Sequence, residues 1–205
     1  MHDTVSIEQA KAIMGNSMIG PDELSKVSFI SEESIVVPSI PYTEDELENK
    51  KDDYLLILGV DHLSDNNETT IRNLRNIFGK APDISEPCFY NQDWYDNEDF
   101  IDEKITAEWF LIRKNVYEDS RAVQPTELMK SHQFPPAIKC TYAFFAAWEV
   151  LGEKLWYHDF VWCSDTDHNG DRIYVGKYHD VDGVNKNGFS IHRHLALRPC
   201  YGCID

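Results

Sequence analysis

Residues 134–152, FPPAIKCTYAFFAAWEVLG, set the first constraint on the fold. Pro135 and Pro136 suit the first turn of a helix, where a missing N–H breaks no bond, and Gly152 suits its end. Between them the apolar side chains leave almost no polar face. A helix of this kind is too short to cross a bilayer, which takes roughly 20 apolar residues. It must therefore be covered on all sides by its own chain, as a central core helix.

The covering layer is read most clearly in Asp159–Pro199. Three apolar, β-branched and aromatic runs (Phe160 to Cys163, Arg172 to Tyr178, Phe189 to Leu197) are separated by two turns dense in Asp, Asn and Gly, the pattern of an antiparallel meander. Upstream, YLLILGV (Tyr54 to Val60) is a continuous apolar run suited to the middle of a sheet. The segment from Ala107 to Asn115 forms a further strand, and 68–79 places Ile71, Leu74 and Phe78 on one helical face ahead of Gly79. Strands and helices interleave, so an α+β class follows.

Shorter signals fill the N-terminal quarter. Ser6 with Gln9, and Thr43 with Glu46, have capping-box spacing before helices at 7–14 and after Thr43. Gly20-Pro21 opens a short helix through Val27, and Ile35 to Val37 suggests a strand closed by Pro38 and Pro41. No repeat or Gly/Ser linker interrupts the chain. The expected organisation is a helical extension over 1–52 and one α+β domain over 53–205.

Charge narrows the partners. Among 205 residues, 19 Lys and Arg stand against 36 Asp and Glu, a formal net charge of −17. Phosphate backbones and anionic membranes are repelled by such a surface, so neither nucleic acid nor membrane is expected as a partner. The opening MHDTVSIEQA has no basic and apolar leader pattern, which predicts a cytoplasmic location. Five cysteines form an odd set that argues against a disulfide scaffold; Cys140 and Cys163 lie in apolar runs and are expected to be buried thiols.

Several clusters carry chemistry. Asp165, Asp167 and Asn169, followed by Gly170, have the D-x-D-x-N-G spacing that gathers oxygens around calcium. The twelfth position is Gly176 rather than a bidentate acid, which excludes an EF-hand and leaves a partial cation site or a plain hairpin turn. His192 and His194 share one face of a strand, with Arg193 on the other, and His179 or Asp180 could complete a metal set across the hairpin. Cys200 and Cys203 form a lone CxxC, expected as a frayed tail or an adventitious disulfide. The acidic and aromatic segment 86–103 either covers the sheet or lines a groove, and Asp93, Asp96, Glu98 and Asp99 within it could imitate a glycosidase subsite. Neither G-x-S-x-G nor a Gly-rich phosphate loop occurs.

Taken together, Trp162-Cys-Ser, Gly170, Arg172-Ile-Tyr-Val-Gly-Lys-Tyr178, Asp182-Gly-Val-Asn-Lys-Asn187 and Leu197-Arg-Pro199 resemble the C-terminal part of C-type-lectin-like domains. The resemblance is to the branch shared by formylglycine-generating-enzyme-like proteins and the variable proteins of diversity-generating retroelements. Blocks such as Phe89 to Tyr95, Trp109 to Lys114 and Leu151 to Trp156 also resemble a set of uncharacterised bacterial proteins. The cysteines match no redox-active pair of the first group, so its oxidase activity is not carried over. What the resemblance implies is a C-type-lectin-like fold whose ligand surface maps to Tyr178, His179, Asp180, Asp182, Asn185, Lys186, Asn187, His192 and His194. The leading functional expectation is a binding module for a protein or glycan, with no catalysis of its own and no cofactor beyond a possible Ca site. The alternatives are a metal-dependent enzyme built on Asp165, Asp167, His179, His192 and His194, and an assembly protein of a mobile element.

Overall fold

The computed structural model describes residues 4–82, 84–179, 187–193 and 196–205. Its helices begin where the capping signals predict. α1, Ile7–Met14, starts with Ser6 Oγ accepting from the Gln9 N–H at 3.2 Å while Gln9 Oε1 accepts from the Ser6 N–H at 2.9 Å. α2 is the single turn Pro21–Leu24, and α3, Glu44–Lys50, repeats the reciprocal cap through Thr43 and Glu46. α4, Ile71–Phe78, buries Ile71, Leu74 and Phe78 and ends at Gly79, whose φ of 66° suits a residue without Cβ.

Two sheets flank the core. In the first, β1 (Met18–Ile19) runs parallel to β2 (Tyr54–Leu58), and β2 runs antiparallel to β3 (Trp109–Arg113). β2 is thus the middle strand with all five residues buried, as its continuous apolar run predicts. After the one-turn α5 (Pro125–Leu128) comes α6, Ala137–Leu151, ended by Gly152 at φ 67°. The second sheet contains β4 (Phe160–Thr166), β5 (Arg172–Gly176), β6 (Ser190–Arg193) and β7 (Tyr201–Gly202) in the order β6-β5-β4-β7.

α6 joins the two sheets. It packs on β4 and β5 and also on β1, α2 and α4. The Tyr142 hydroxyl donates to the Leu58 carbonyl of β2 at 3.0 Å, while Phe144 and Phe145 meet Phe189 just before β6. One hydrophobic cluster runs from Val5 through these residues to Ile204, so segments of both 1–52 and 53–205 share it. A smaller cluster of Leu128, Phe134, Phe160, Trp162, Tyr174, Tyr201 and Cys203 lies apart from it.

Three local expectations are corrected. Ile35 to Val37 forms no strand: Val36 is 58% exposed, and the nearby Pro38 and Pro41 lack the N–H groups that a ladder needs. The CxxC tail does not fray. Tyr201–Gly202 pairs in parallel with Phe160–Val161, and Cys203 and Ile204 are fully buried. Among the described residues the meander's last strand spans Ser190–Arg193, and Leu197 to Pro199, expected at or beyond its end, lie outside the sheet.

Candidate functional site

The β4–β5 turn was the clearest cation signal, and its two acids face different tasks. Asp165 is buried, and its Oδ2 accepts the Ala137 N–H at 2.7 Å, capping α6 where Pro136 offers no side-chain acceptor. Burial pushes its carboxyl above the ordinary carboxylate value, against the pull of that N–H. Asp167 Oδ1 accepts from the N–H groups of Asn169 and Asp171 at 2.9 and 2.8 Å, and its Oδ2 accepts from Arg193 Nη1 at 3.1 Å. Asn169 is exposed. Asp165 Oδ2 is therefore committed to a helix end, and the two oxygens of Asp167 to the turn and to Arg193 of β6.

A third acid joins this turn from far away in sequence. Glu98 is buried; its Oε1 lies 2.7 Å from His168 Nδ1, and its Oε2 accepts the His168 N–H at 2.9 Å. Ligand atoms of Glu98, Asp167 and His168 all fall within 4.8 Å of one another. The grouping is compact enough for a cation, but both acids already hold the turn to the 86–103 segment and to β6. Nothing in the spacing of the chain links Glu98 to His168, which is why the pair went unpredicted.

The 86–103 segment is a cover. Phe89, Tyr95 and Phe100 are buried, and Arg75 ties Asp93, Asp96 and the Gln92 carbonyl to α4. Asp93, paired with Arg75 and Lys80, stays below the ordinary carboxylate range. Trp94 Nε1 donates to the Ile191 carbonyl at 2.9 Å, with the Arg193 guanidinium 5.1 Å from its ring. Gln92 accepts the Ile191 N–H and brings its amide to 3.0 Å from His192 Nε2. His192 is half-buried there and stacks on Tyr174.

A column of rings leads from the core to a different face. Tyr178, expected at the ligand surface, is fully buried instead: its ring stacks on Phe144 at 5.6 Å and its hydroxyl accepts the Cys88 N–H at 3.2 Å. The reason is its place just beyond β5, where it turns inward onto α6. Tyr157 stacks on Tyr178 at 5.7 Å, and His179 stacks on Tyr157 at 5.7 Å with planes 9° apart. Both are half-buried, and the exposed His158 meets each edge-on. His179 Nδ1 lies 2.8 Å from Asn187 Oδ1, and Asn187 Nδ2 donates to Glu86 Oε1 at 3.0 Å. The Lys154 ammonium sits 4.6 Å from the Trp148 ring and 4.9 Å from that of Tyr157.

Beside this column is a cleft of about 490 Å³ whose lining includes Lys114, Glu153, Lys154, Tyr157 and His158. Trp156, in its lining, is held together with Lys177 in an uncommon backbone shape. Trp156 and Lys177 have φ of 46° and 36°, and the Lys177 N–H donates to the carbonyls of Asp159 and Trp156 at 2.6 and 3.0 Å. At Gly176, φ 117°, a Cβ would come 2.7 Å from the Asp159 carbonyl. Non-glycine residues held at positive φ cost on the order of 1–3 kcal/mol each and gather where geometry serves a function.

Of the expected ligand residues, the fold brings together His179 and Asn187, holds His192 under Gln92, and buries Tyr178. Asp180, Asp182, Asn185, Lys186 and His194 lie outside the described residues. Trp148, Lys154, Tyr157, His158 and Glu86 were missed, although the run Trp156-Tyr-His158 directly before the first meander strand was a readable cue. The chain matches no known family model, no curated protein and no solved structure.

Proposed function

We propose that this chain is a ligand-binding module for a glycan or protein, with no catalysis of its own, on a C-type-lectin-like fold. Support for the fold comes from the antiparallel β4–β5–β6 meander packed on a central apolar helix. The observation that carries the function is the face formed by Tyr157, His179, Asn187 and Glu86, with His158 and Lys154 beside it. Aromatic rings there offer flat apolar surface, while imidazole, amide and carboxylate groups offer donors and acceptors held in place by each other. That mixture suits the apolar and hydroxyl faces of a sugar better than an extended peptide. Stacked rings lose little freedom on binding, so the face is preorganised.

A metal-dependent enzyme remains the less economical reading. It relies on Asp165 and Asp167, each of which already accepts a backbone N–H group, and on histidines of which His179 and His192 are kept in separate settings.

Glycan and peptide arrays test the proposal, followed by titration of any hit with Tyr157→Ala and His179→Ala proteins whose folding is checked by circular dichroism. Loss of one such contact weakens binding by about tenfold or more, or roughly 1.4 kcal/mol. Blank arrays together with turnover in an activity screen, or full-strength binding by both variants, would sink it.

A further inference from the structure

A second cleft, of about 520 Å³, follows β3 and the segment leading into α6. It shares none of the residues of the histidine face. Tyr42, Tyr54, Phe110, Phe134, Pro135 and Pro136 supply its aromatic and apolar walls, and its size falls within the range of small-molecule sites.

Its charges run against the rest of the molecule. The net charge of the chain is −17, yet two of the three charged residues lining the cleft are lysines, Lys50 and Lys139, and the third is Asp205. Lys139 is paired with Glu108 at 3.0 Å. Lys50, in the last turn of α3, is half-buried with its ammonium 3.9 Å from the centre of the Tyr54 ring, and it has no carboxylate partner among the described residues. A partly desolvated ammonium without an anion, in a protein with a large excess of carboxylates, leaves an interaction open for a ligand.

The neighbouring groups narrow the ligand. Tyr42 Oη accepts the Leu111 N–H at 3.2 Å, so its own proton is free to donate, and burial raises its pKa and keeps that proton on. The side-chain carboxylate of Asp205 accepts from the hydroxyls of Tyr54 and Tyr117, which fixes one negative charge at the wall. A dianionic phosphate meets twice the repulsion that a monoanion meets there and exceeds the single open ammonium by one charge, whereas a monoanion matches it. Glu108, which Lys139 neutralises, and Glu46 also act on Tyr42, and the rings of Tyr54, Phe110 and Phe134 line the rest of the cleft.

We propose that this cleft binds a small aromatic carboxylate, with Lys50 and Tyr42 engaging the carboxylate and the Tyr54, Phe110 and Phe134 side receiving the ring. The assignment is independent of the glycan or protein reading above. Calorimetry with phenylacetate and indole-3-acetate as probes, against phenylacetamide and phenyl phosphate, tests it on the full chain. Both carboxylates bind, the amide and the phosphate bind about tenfold more weakly, and Lys50→Gln costs about tenfold while Lys50→Arg stays within about threefold of wild type. Tyr42→Phe, which keeps the ring and removes the donor together with the acceptor of the Leu111 N–H, weakens binding by about threefold or more, a second readout should Lys50→Gln perturb folding. No binding by either carboxylate, equal affinity for the amide or the phosphate, or full affinity in both Lys50→Gln and Tyr42→Phe would overturn it.

Discussion

Asp167 accepts hydrogen bonds from Asn169 N–H, Asp171 N–H and Arg193, and its side chain is fully buried. Burial alone would raise its pKa, but those donors outweigh it and hold the carboxyl below its ordinary value of 3.8. A depressed carboxyl contributes stability that is present above the unfolded value and lost as pH falls through the folded one. Asp167→Asn would turn an amide NH₂ toward Arg193, so it should cost about 1–3 kcal/mol at pH 7. That difference should shrink steadily below about pH 4, as wild-type Asp167 itself becomes protonated. Urea unfolding of both proteins at pH 7 and pH 3 measures this; a gap that does not narrow at low pH would contradict the assigned ionisation.

At the scale of elements, the turns that close helices and strands differ in how tightly they are enclosed. Gly152 ends α6 in the left-handed region with open space around its Cα, so only backbone preference opposes a side chain. Gly152→Ala should cost about 1 kcal/mol. Gly188 has φ 143°, and a Cβ there would overlap the Tyr90 backbone where the 86–103 cover meets the start of β6. Gly188→Ala should cost about 3 kcal/mol or more, because neither backbone can yield without breaking the Tyr90 N–H to Phe189 carbonyl bond. Thermal unfolding of the two variants gives the order directly; similar losses would mean that the cover is not seated on the second sheet as described.

For the molecule as a whole, the last residues act as a clasp between layers. β7 extends the second sheet, the Asp205 carbonyl accepts the Arg113 N–H of β3 at 3.3 Å, and Ile204 enters the main hydrophobic cluster. Ile204→Ala should therefore cost about 2–5 kcal/mol, as for a fully buried large-to-small change, even though it lies one residue from the end. Because that cluster also contains Val5, Met14 and Leu24, the variant should unfold in a single transition at a lower temperature. Calorimetry showing a separate early transition, or no loss of stability, would contradict a shared core.

Local elements are written in stretches of a few residues. Capping pairs at Ser6–Gln9 and Thr43–Glu46, the Pro135-Pro136 and Gly152 boundaries, and the continuous run of β2 depend on neighbours within a few residues, and each appears where its chemistry requires. Which polar groups meet is settled by the packing of segments far apart in the chain. Asp165 reached the start of α6, Glu98 reached His168 from 70 residues away, Tyr178 turned into the core, and His179 found Tyr157 and Asn187. Such meetings are set by how a cover loop and two sheets close over one helix, and no short-range pattern encodes that closure. The CxxC tail obeys the same rule: a pair of cysteines at Cys200 and Cys203 carries no local signal of order until a sheet edge is there to receive it.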